Sequence, residues 1–418
     1  MGEIRKLVEE SEFTTFVDIV ANAYPGILAN TPQEKQRFKE FLINKQENDP
    51  AVEYYGLFRN QKLIAGMRIH YYEMNLHSSK VEIGGVGLVA VDLLHKKVGA
   101  AKELIEQFLQ MFKKKGVHQV ALYPFRPDFY KKMGFGYGPN MYQYYLEPSS
   151  FPKGRTKENL QYVTEEDLEL LSACYNRYVE SHHGMIYKTE HEWNALFKNT
   201  ENRIVAVKKQ EQIQGYLVFH FKKQSETNFM LNKLVIKECI YETPEALLEL
   251  STFLNSQADQ VHRIEWNTQD EQIHFLVHDA RNVSSELIPS VYHPSSTSAI
   301  GLMYRIINVK GFVQQLGHLS FNAPDFSWKL SVTDSFFPEN QGEFLLQLKN
   351  GLVEVKEDGE YDVELKIDIS ELSSLLFGVV SLRDLYYYSK IEISDSEFLD
   401  KLNSIFKVLE KPICTTAF

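Results

Sequence analysis

Residues 89–101 read VAVDLLHKKVGAA, and they decide the fold of the first part of the chain. Residues 81–91, which lead into this stretch, are rich in β-branched side chains and are interrupted by glycines. That composition favours a buried strand with a bulge or a close backbone approach. Apolar residues then recur at helical spacing, at Ala101, Leu104, Ile105, Phe108 and Phe112. The sequence therefore predicts a strand, a short basic loop and a helix in succession.

The loop between this strand and this helix suits a phosphate group. Lys96 and Lys97 supply positive charge, and Gly99 lets the backbone approach a ligand closely. The first turn of a helix presents free N–H groups and a partial positive charge, which together bind anions. An ordinary strand-to-helix turn with solvated lysines has the same short pattern, so the loop alone leaves both interpretations open.

A second stretch, residues 129–138 with the sequence FYKKMGFGYG, supplies a phenol at Tyr130 and a Gly-Phe turn. Together the two stretches resemble the GNAT superfamily of acetyl-CoA-dependent N-acetyltransferases. The whole chain resembles the Eis-type (enhanced intracellular survival) branch of that superfamily. One departure is Lys96, which stands where the family's pyrophosphate loop usually has arginine or glutamine.

This resemblance implies where acetyl-CoA binds and which group protonates its sulfur. Tyr130 takes the position of the family's phenol that protonates the departing thiolate, although a chain with 23 tyrosines also has core tyrosines. No metal is implied. The expected acetyl-CoA contacts lie on the strand and in the loop, at Leu88, Val89, Ala90, Val91, Lys96, Lys97, Val98, Gly99, Ala100 and Ala101.

The last residue, Phe418, is the candidate for the catalytic base. The chain ends CTTAF after Pro412, whereas exposed tails are usually polar and frayed. Eis-type enzymes are understood to bring their C-terminal carboxylate into the first domain's active site, and the resemblance implies this role for Phe418. An α-carboxylate has a pKa of about 3.5, so it is a weak base. A hydrophobic tail packed for stability is the alternative.

The order of predicted elements indicates three domains of α/β and α+β class. Two tandem GNAT-like domains are expected at residues 1–150 and 151–300, with residues 141–146 closing the first sheet. The second lacks glycine and a basic pair in the loop before its helix at 244–257, so we expect it to be a degenerate copy without a CoA site. Residues 301–418 resemble a smaller sterol-carrier-like domain, with a capping box at Asp368 and Glu371. Its last helix is predicted at 397–409.

Composition limits the class of protein. The 418 residues carry 45 Lys and Arg against 56 Asp and Glu, a net charge of −11, which argues against a general nucleic-acid binder. Three scattered cysteines, no metal-binding motif and no signal-peptide or membrane-spanning segment indicate a cytoplasmic protein. A homo-oligomer, a hexamer, is implied by the resemblance.

The leading hypothesis is an acetyl-CoA-dependent transfer of acetyl to a primary amine of a cationic small molecule, aminoglycoside-like or polyamine-like. The acids Glu10, Glu12 and Asp18 could line such a pocket or face water, while the nearby Phe13, Phe16 and Tyr24 are expected to pack in the core. The alternatives are a protein or peptide lysine N-acetyltransferase, and a non-catalytic protein that binds an apolar ligand.

Overall fold

The computed structural model describes residues 2–26, 30–228, 231–282, 284, 286–321, 323–407 and 411–418. In chain order its strands are β1 (Glu3–Lys6), β2 (Val52–Arg59), β3 (Lys62–Leu76), β4 (Ser79–Val91), β5 (Gln119–Leu122), β6 (Gly136–Tyr137), β7 (Asn140–Leu146), β8 (Leu160–Tyr162), β9 (Arg203–Lys209), β10 (Gln212–Lys223), β11 (Asn232–Tyr241), β12 (Arg263–Thr268), β13 (Ser296–Ile300), β14 (Met303–Ile306), β15 (Phe326–Thr333), β16 (Gly342–Lys349), β17 (Leu352–Lys356), β18 (Val363–Asp368) and β19 (Ile391–Ile393).

The helices fall between these strands and mostly begin at a Thr, Ser, Asp or Asn that caps them, or at a proline in the first turn. They are α1 (Glu10–Ala23), α2 (Pro32–Asn48), α3 (Ala100–Lys114), α4 (Pro127–Lys131), α5 (Leu168–Ser181), α6 (Glu190–Lys198), α7 (Pro244–Asn255), α8 (Ile273–Leu276), α9 (Val309–Gln315), α10 (Ile369–Leu376), α11 (Leu382–Tyr387) and α12 (Leu399–Phe406).

These strands form three mixed sheets, so the predicted α/β and α+β class is confirmed. The orders are β1-β2-β3-β4-β5-β14-β6, β13-β7-β12-β11-β10-β9-β8 and β17-β16-β15-β18-β19. The last predicted helix is shorter than expected: a 3₁₀ turn at Ser396–Phe398 leads into α12, and residues 408–410 lie outside the described residues. Within the described part of the chain, no helix has the length and apolarity needed to cross a membrane.

The first two sheets exchange strands, which corrects one expectation. Residues 141–146 do not close the first sheet, because β7 lies between β12 and β13 in the second. Its place in the first sheet is taken by β14, which pairs antiparallel with both β5 and β6. Pro139 follows β6 and has no N–H to continue the ladder, and all four residues of β14 are buried, as suits a central strand.

The chain divides into two compact units. The first contains residues 1–138, 301–412 and 417–418, and the second contains residues 139–300 and 413–416. The sterol-carrier-like region and the C-terminal residue therefore belong to the same unit as the first sheet. The predicted domain limits at 150 and 300 stay predictions. The compact units of the structure change at residues 138 and 300.

Helix α3 covers one face of the first sheet, as its spacing predicts. Leu104, Phe108 and Phe112 are buried, and the helix ends before Gly116, whose φ is 79°. Gly84 of β4 makes room for the helix, because a Cβ there would stand 2.7 Å from the Phe112 ring. This packing fixes the helix against the strand that precedes it.

The third sheet's helix α10 docks on the first sheet through backbone and hydroxyl groups. The Ile306 N–H donates to Ser373 Oγ at 3.0 Å, and Ser374 Oγ donates to the Tyr137 carbonyl at 2.9 Å. Asp368 caps α10 as predicted by accepting from the Ser370 N–H. The expected capping box is wrong, because Glu371 turns away to accept from Lys131 Nζ at 2.8 Å.

A buried ion pair lies at the same junction. Arg305 of β14 and Asp334, in the turn after β15, are both fully buried, and Nη2 donates to the carboxylate at 2.7 and 2.9 Å. Gly134 is required beside them, since a Cβ there would stand 1.4 Å from Arg305 Nη1. The sterol-carrier-like region is therefore bound to the first sheet by an interior contact.

Candidate active site

A cavity of about 350 Å³ opens where β4 runs into α3. Seven of the residues that the sequence assigned to acetyl-CoA line it: Val89, Val91, Lys96, Lys97, Gly99, Ala100 and Ala101. The other three residues, Leu88, Ala90 and Val98, are not among the described residues that line the cavity. The strand alternation explains Leu88 and Ala90, which face the α1 side of the sheet and pack with its core.

Strand β4 departs from regular geometry where it reaches this cavity. Its register with β3 shifts between Gly66 and Arg68, and Leu88 has a φ of 51°. A bulge of this kind re-aims the residues that follow it. It turns Val89 and Val91 to the cavity, although the Val89 carbonyl already accepts from the Tyr24 hydroxyl at 2.6 Å.

The loop that opens α3 has the shape expected of an anion site. Lys97 and Gly99 both have left-handed backbones, with φ of 64° and 86°. Gly99 is the N-cap of α3 and brings no side-chain hydrogen bond to it. The first-turn N–H groups of the helix therefore face the cavity without a capping side chain, which leaves them available to a phosphate.

Sequence reasoning missed part of the cavity wall. Arg126, Lys102 and His95 add basic or titratable groups, and Phe125 and Phe129 add an aromatic side. Tyr24, for which helical spacing favoured core packing over a place in a pocket, lines the cavity. The signal for Arg126 was present, since it is the residue before Pro127 at the start of the helix that carries Tyr130.

Tyr130 lies behind this wall, on α4. Its side chain is 3% exposed and its ring packs edge-on against Phe125, Phe129 and Phe135, at centroid distances of 5.7, 5.2 and 5.9 Å. Burial, with a smaller contribution from Tyr24, raises the pKa of Tyr130 well above its ordinary value. The phenol therefore keeps its proton at neutral pH.

Phe418 lies in the same unit, against residues of β3 and β4. Its ring is surrounded by His70, Tyr72 and Tyr123, at centroid distances of 5.5, 5.5 and 5.3 Å. A Cβ on Gly87 would stand 3.1 Å from the Phe418 carboxyl carbon. The terminal carboxylate is therefore adjacent to the residue that precedes Leu88 and the cavity-lining Val89.

The three acids named from the sequence are all held by basic partners. Glu10 accepts from Lys39 Nζ at 2.6 Å, and Asp18 accepts from Lys35 Nζ at 2.7 Å. Glu12 pairs with Arg5 and closes the capping box of α1. Phe13 and Phe16 are core residues, as expected. These acids have structural partners already, so nothing in their contacts points to an amine ligand.

The corresponding turn of the second unit is built differently. The N-terminus of α7 is capped by Thr243, whose hydroxyl accepts from the Ala246 N–H at 3.1 Å. Pro244 removes one N–H, and Glu245 places a carboxylate in the first turn. A phosphate at this turn would find an N–H group that already donates to Thr243 and would be repelled by the carboxylate of Glu245. Among the described residues, no group of three or more His, Cys, Asp or Glu is arranged to hold a metal ion.

Comparison with known proteins places these features in a family context. Residues 3–138 and 184–306 each match an acetyltransferase (GNAT) domain family, and residues 309–415 match the sterol carrier protein domain family. The chain has the Eis-type architecture. This Eis-type chain is an acyltransferase of the GNAT class, whose domains use acetyl-CoA as co-substrate. A search of the curated proteins finds no match to it.

Solved structures share the fold over the full length. A GCN5-related N-acetyltransferase from Anabaena variabilis ATCC 29413 is 19% identical, with a TM-score of 0.81 and 100% of both chains covered. A GCN5-related N-acetyltransferase from Kribbella flavida is 15% identical, with a TM-score of 0.77 over 100% of this chain and 99% of that one. Eis1 from Mycobacterium abscessus is 17% identical, with a TM-score of 0.76 and 100% of both chains covered.

Proposed function

We propose that this Eis-type chain transfers acetyl from acetyl-CoA to a primary amine of a small molecule, with its own C-terminal carboxylate in the active site. One observation carries the proposal: the Phe418 carboxyl lies against Gly87, two residues before the cavity-lining Val89. An acetyl group held along β4 would meet the chain terminus at the point where the strand bulges.

The cavity residues bind the co-substrate in this proposal. The pyrophosphate lies on the first turn of α3, held by its free N–H groups and by the charges of Lys96, Lys97 and Arg126. The pantetheine arm follows Val89 and Val91 towards the bulge. Backbone N–H groups in that region stabilise the thioester oxygen as it becomes an oxyanion.

Two groups move protons in this reaction. The protonated amine gives one proton to the Phe418 carboxylate, and the free nitrogen attacks the acetyl carbon. The carbon–sulfur bond then breaks and the thiolate takes a proton from Tyr130. The nitrogen gives up its second proton, which restores the Tyr130 phenol. The raised pKa of Tyr130 keeps the phenol protonated until the thiolate leaves.

The packing of α10 is relevant to the alternative of a non-catalytic protein that binds an apolar ligand. Its residues Ile369–Leu376 are all buried, and their hydroxyl groups bond the first sheet. The helix therefore acts as a scaffold that holds the third domain beside the candidate active site. A cationic acceptor, a homo-oligomer and the lysine-peptide alternative stay predictions.

An acceptor screen tests the proposed function. The chain, tagged only at its N-terminus, is incubated with acetyl-CoA and an aminoglycoside, a polyamine or a lysine peptide, and released CoA thiol is measured. We expect acceptor-dependent release with one of the small amines, and release that is strongly reduced in Tyr130→Phe. CoA release with only the lysine peptide would favour the protein acetyltransferase. A failure of all three acceptors to stimulate CoA release would contradict the proposal.

A further inference from the structure

Strands β3 and β4 form a receptor for the last residue of the chain. Arg68 and His70 of β3 are paired in register with Gly87 and Gly85 of β4. Directly opposed residues in an antiparallel pair share a face of the sheet. Two large side chains therefore stand beside two glycines on one face, and we name Arg68, His70, Gly85 and Gly87 the terminal groove.

Phe418 occupies the space that the two glycines leave. A Cβ on Gly85 would stand 3.0 Å from the Phe418 ring, and a Cβ on Gly87 would stand 3.1 Å from its carboxyl carbon and 3.2 Å from its oxygen. These distances are tighter than most side-chain contacts, so a Cβ at either position would force the terminus to shift by a few tenths of an ångström. The glycine spacing matches the length of the residue, with ring over Gly85 and carboxylate over Gly87.

His70 forms the wall against which the terminal ring packs. It is 1% exposed, and its imidazole stacks on Tyr72 at a centroid distance of 5.1 Å and lies 5.5 Å from the Phe418 ring. Burial, and then the charge of Arg68, hold the pKa of His70 well below its ordinary value, so the ring is neutral. Neither ring nitrogen has a hydrogen-bond partner among the described residues. The neutral ring contacts the Phe418 ring at an interplanar angle of 56°.

The Arg68 guanidinium and the terminal carboxylate both lie close to Gly87. Its Nη2 lies 3.4 Å from the Cβ position of Gly87, the same point from which the carboxyl carbon is 3.1 Å away. Its buried Nε has no partner among the described residues. A half-buried guanidinium attracts a nearby carboxylate more strongly than it would in water.

We propose that Arg68 and His70 are positioning residues that hold the chain terminus in the terminal groove, Arg68 through charge and His70 through ring packing. The inference rests on the proposed function, because the held carboxylate is the base named there. It adds the residues that recognise the aromatic ring and the carboxylate of Phe418.

Release of the terminal residue by carboxypeptidase A tests this directly, because the enzyme removes an exposed C-terminal phenylalanine. The intact chain and its variants are treated identically, and free phenylalanine is quantified over time. We expect Arg68→Met and Gly87→Ala to release Phe418 about tenfold faster, as local opening of the terminus becomes easier. Arg68→Lys should restore part of the protection. Arg383→Met, which removes an exposed arginine of the third domain, is the matched control and should release it at the rate of the intact chain.

Turnover separates this inference from the proposed function. If both hold, Arg68→Met lowers kcat and leaves the KM for acetyl-CoA unchanged, and it has no further effect in a chain that lacks Phe418. Faster release with unchanged turnover would support the positioning role and contradict the carboxylate as base. Release from Arg68→Met and Gly87→Ala at the rate of the control would overturn the inference, whatever the turnover.

Discussion

The carboxyl carbon of Phe418 lies 3.1 Å from the point where a Cβ on Gly87 would stand. The last residue of the chain thus contacts the strand that leads into the cavity of the first sheet. The contact favours glycine, because a Cβ at position 87 would force the carboxylate to shift by a few tenths of an ångström. This relationship brings the tail and the bulged strand together beside the cavity proposed for acetyl-CoA.

Tyr130→Phe should lower turnover by about 10²–10⁴-fold, which is the rate enhancement that general acid catalysis usually contributes. The ring packs among Phe125, Phe129 and Phe135, and phenylalanine preserves that packing. Affinity for acetyl-CoA should therefore be nearly unchanged, since the phenol proton acts in the transition state. Steady-state kinetics and calorimetric titration measure the two effects. Wild-type turnover in the variant would exclude Tyr130 as the acid, provided that chemistry limits the rate.

The sequence predicted the local elements of the first domain well, because α3 and β4 are marked by spacing and glycines. It did not predict the exchange of β7 and β14, since strand partners are chosen by long-range packing that a local pattern does not contain. Most of the proposed acetyl-CoA contacts line the cavity, whereas Leu88 and Ala90 face away because a contiguous run on a strand alternates between faces.

The terminal groove was not predicted, although its signal is visible afterwards. Arg68, His70 and Tyr72 alternate along β3, and Gly85 and Gly87 alternate along β4, so each set shares a face. Their meaning appears only when the register of the two strands and the position of Phe418 are known. The contact joins residues of β3 and β4 to the last residue, and a local sequence pattern does not predict a contact between residues so far apart in the chain.

Acetyl-CoA should bind with a stoichiometry of one per chain. The first unit offers an uncapped helix start beside lysines, whereas α7 has its donors occupied by Thr243 and carries Glu245 in the first turn. Isothermal titration calorimetry measures the number of sites. Lys96→Glu combined with Lys97→Glu should abolish binding, and Lys208→Glu in the second unit should not. A stoichiometry of two would mean that the second unit also binds the co-substrate.

Asp334→Asn should destabilise the fold by about 3–5 kcal/mol, the usual cost of breaking a buried ion pair. Both Arg305 and Asp334 are fully buried, and the change leaves the guanidinium uncompensated. The free energy of unfolding is obtained from urea denaturation. Asp400→Asn breaks the exposed pair with Arg383 and serves as the control, with an expected loss below about 1 kcal/mol. Equal losses in the two variants would contradict this role of the buried pair.

The junction of α10 with the first sheet should weaken in acid through Glu371. Burial alone would raise the pKa of Glu371, but hydrogen bonds from Lys131 and Ser370 outweigh burial and lower it. A carboxyl with a lowered folded pKa stabilises the fold above its unfolded pKa, about 4.3, and this contribution is lost as pH falls through the folded value. The difference in urea midpoint between the intact chain and Glu371→Gln should therefore be largest at pH 7 and shrink below about pH 4. A difference that does not change with pH would contradict it.

The role of the chain terminus is tested most directly by deleting Phe418 and measuring the rate of CoA thiol release with the best acceptor of the screen. Both the intact and the shortened chain carry an N-terminal tag, and calorimetric titration with acetyl-CoA verifies that the cavity is preserved. Deletion moves the carboxylate back along the chain by about 3.5 Å, enough to break a proton path. We predict a loss of turnover of at least about 10²-fold with acetyl-CoA affinity retained. Full turnover by the shortened chain would contradict the account and place the base elsewhere.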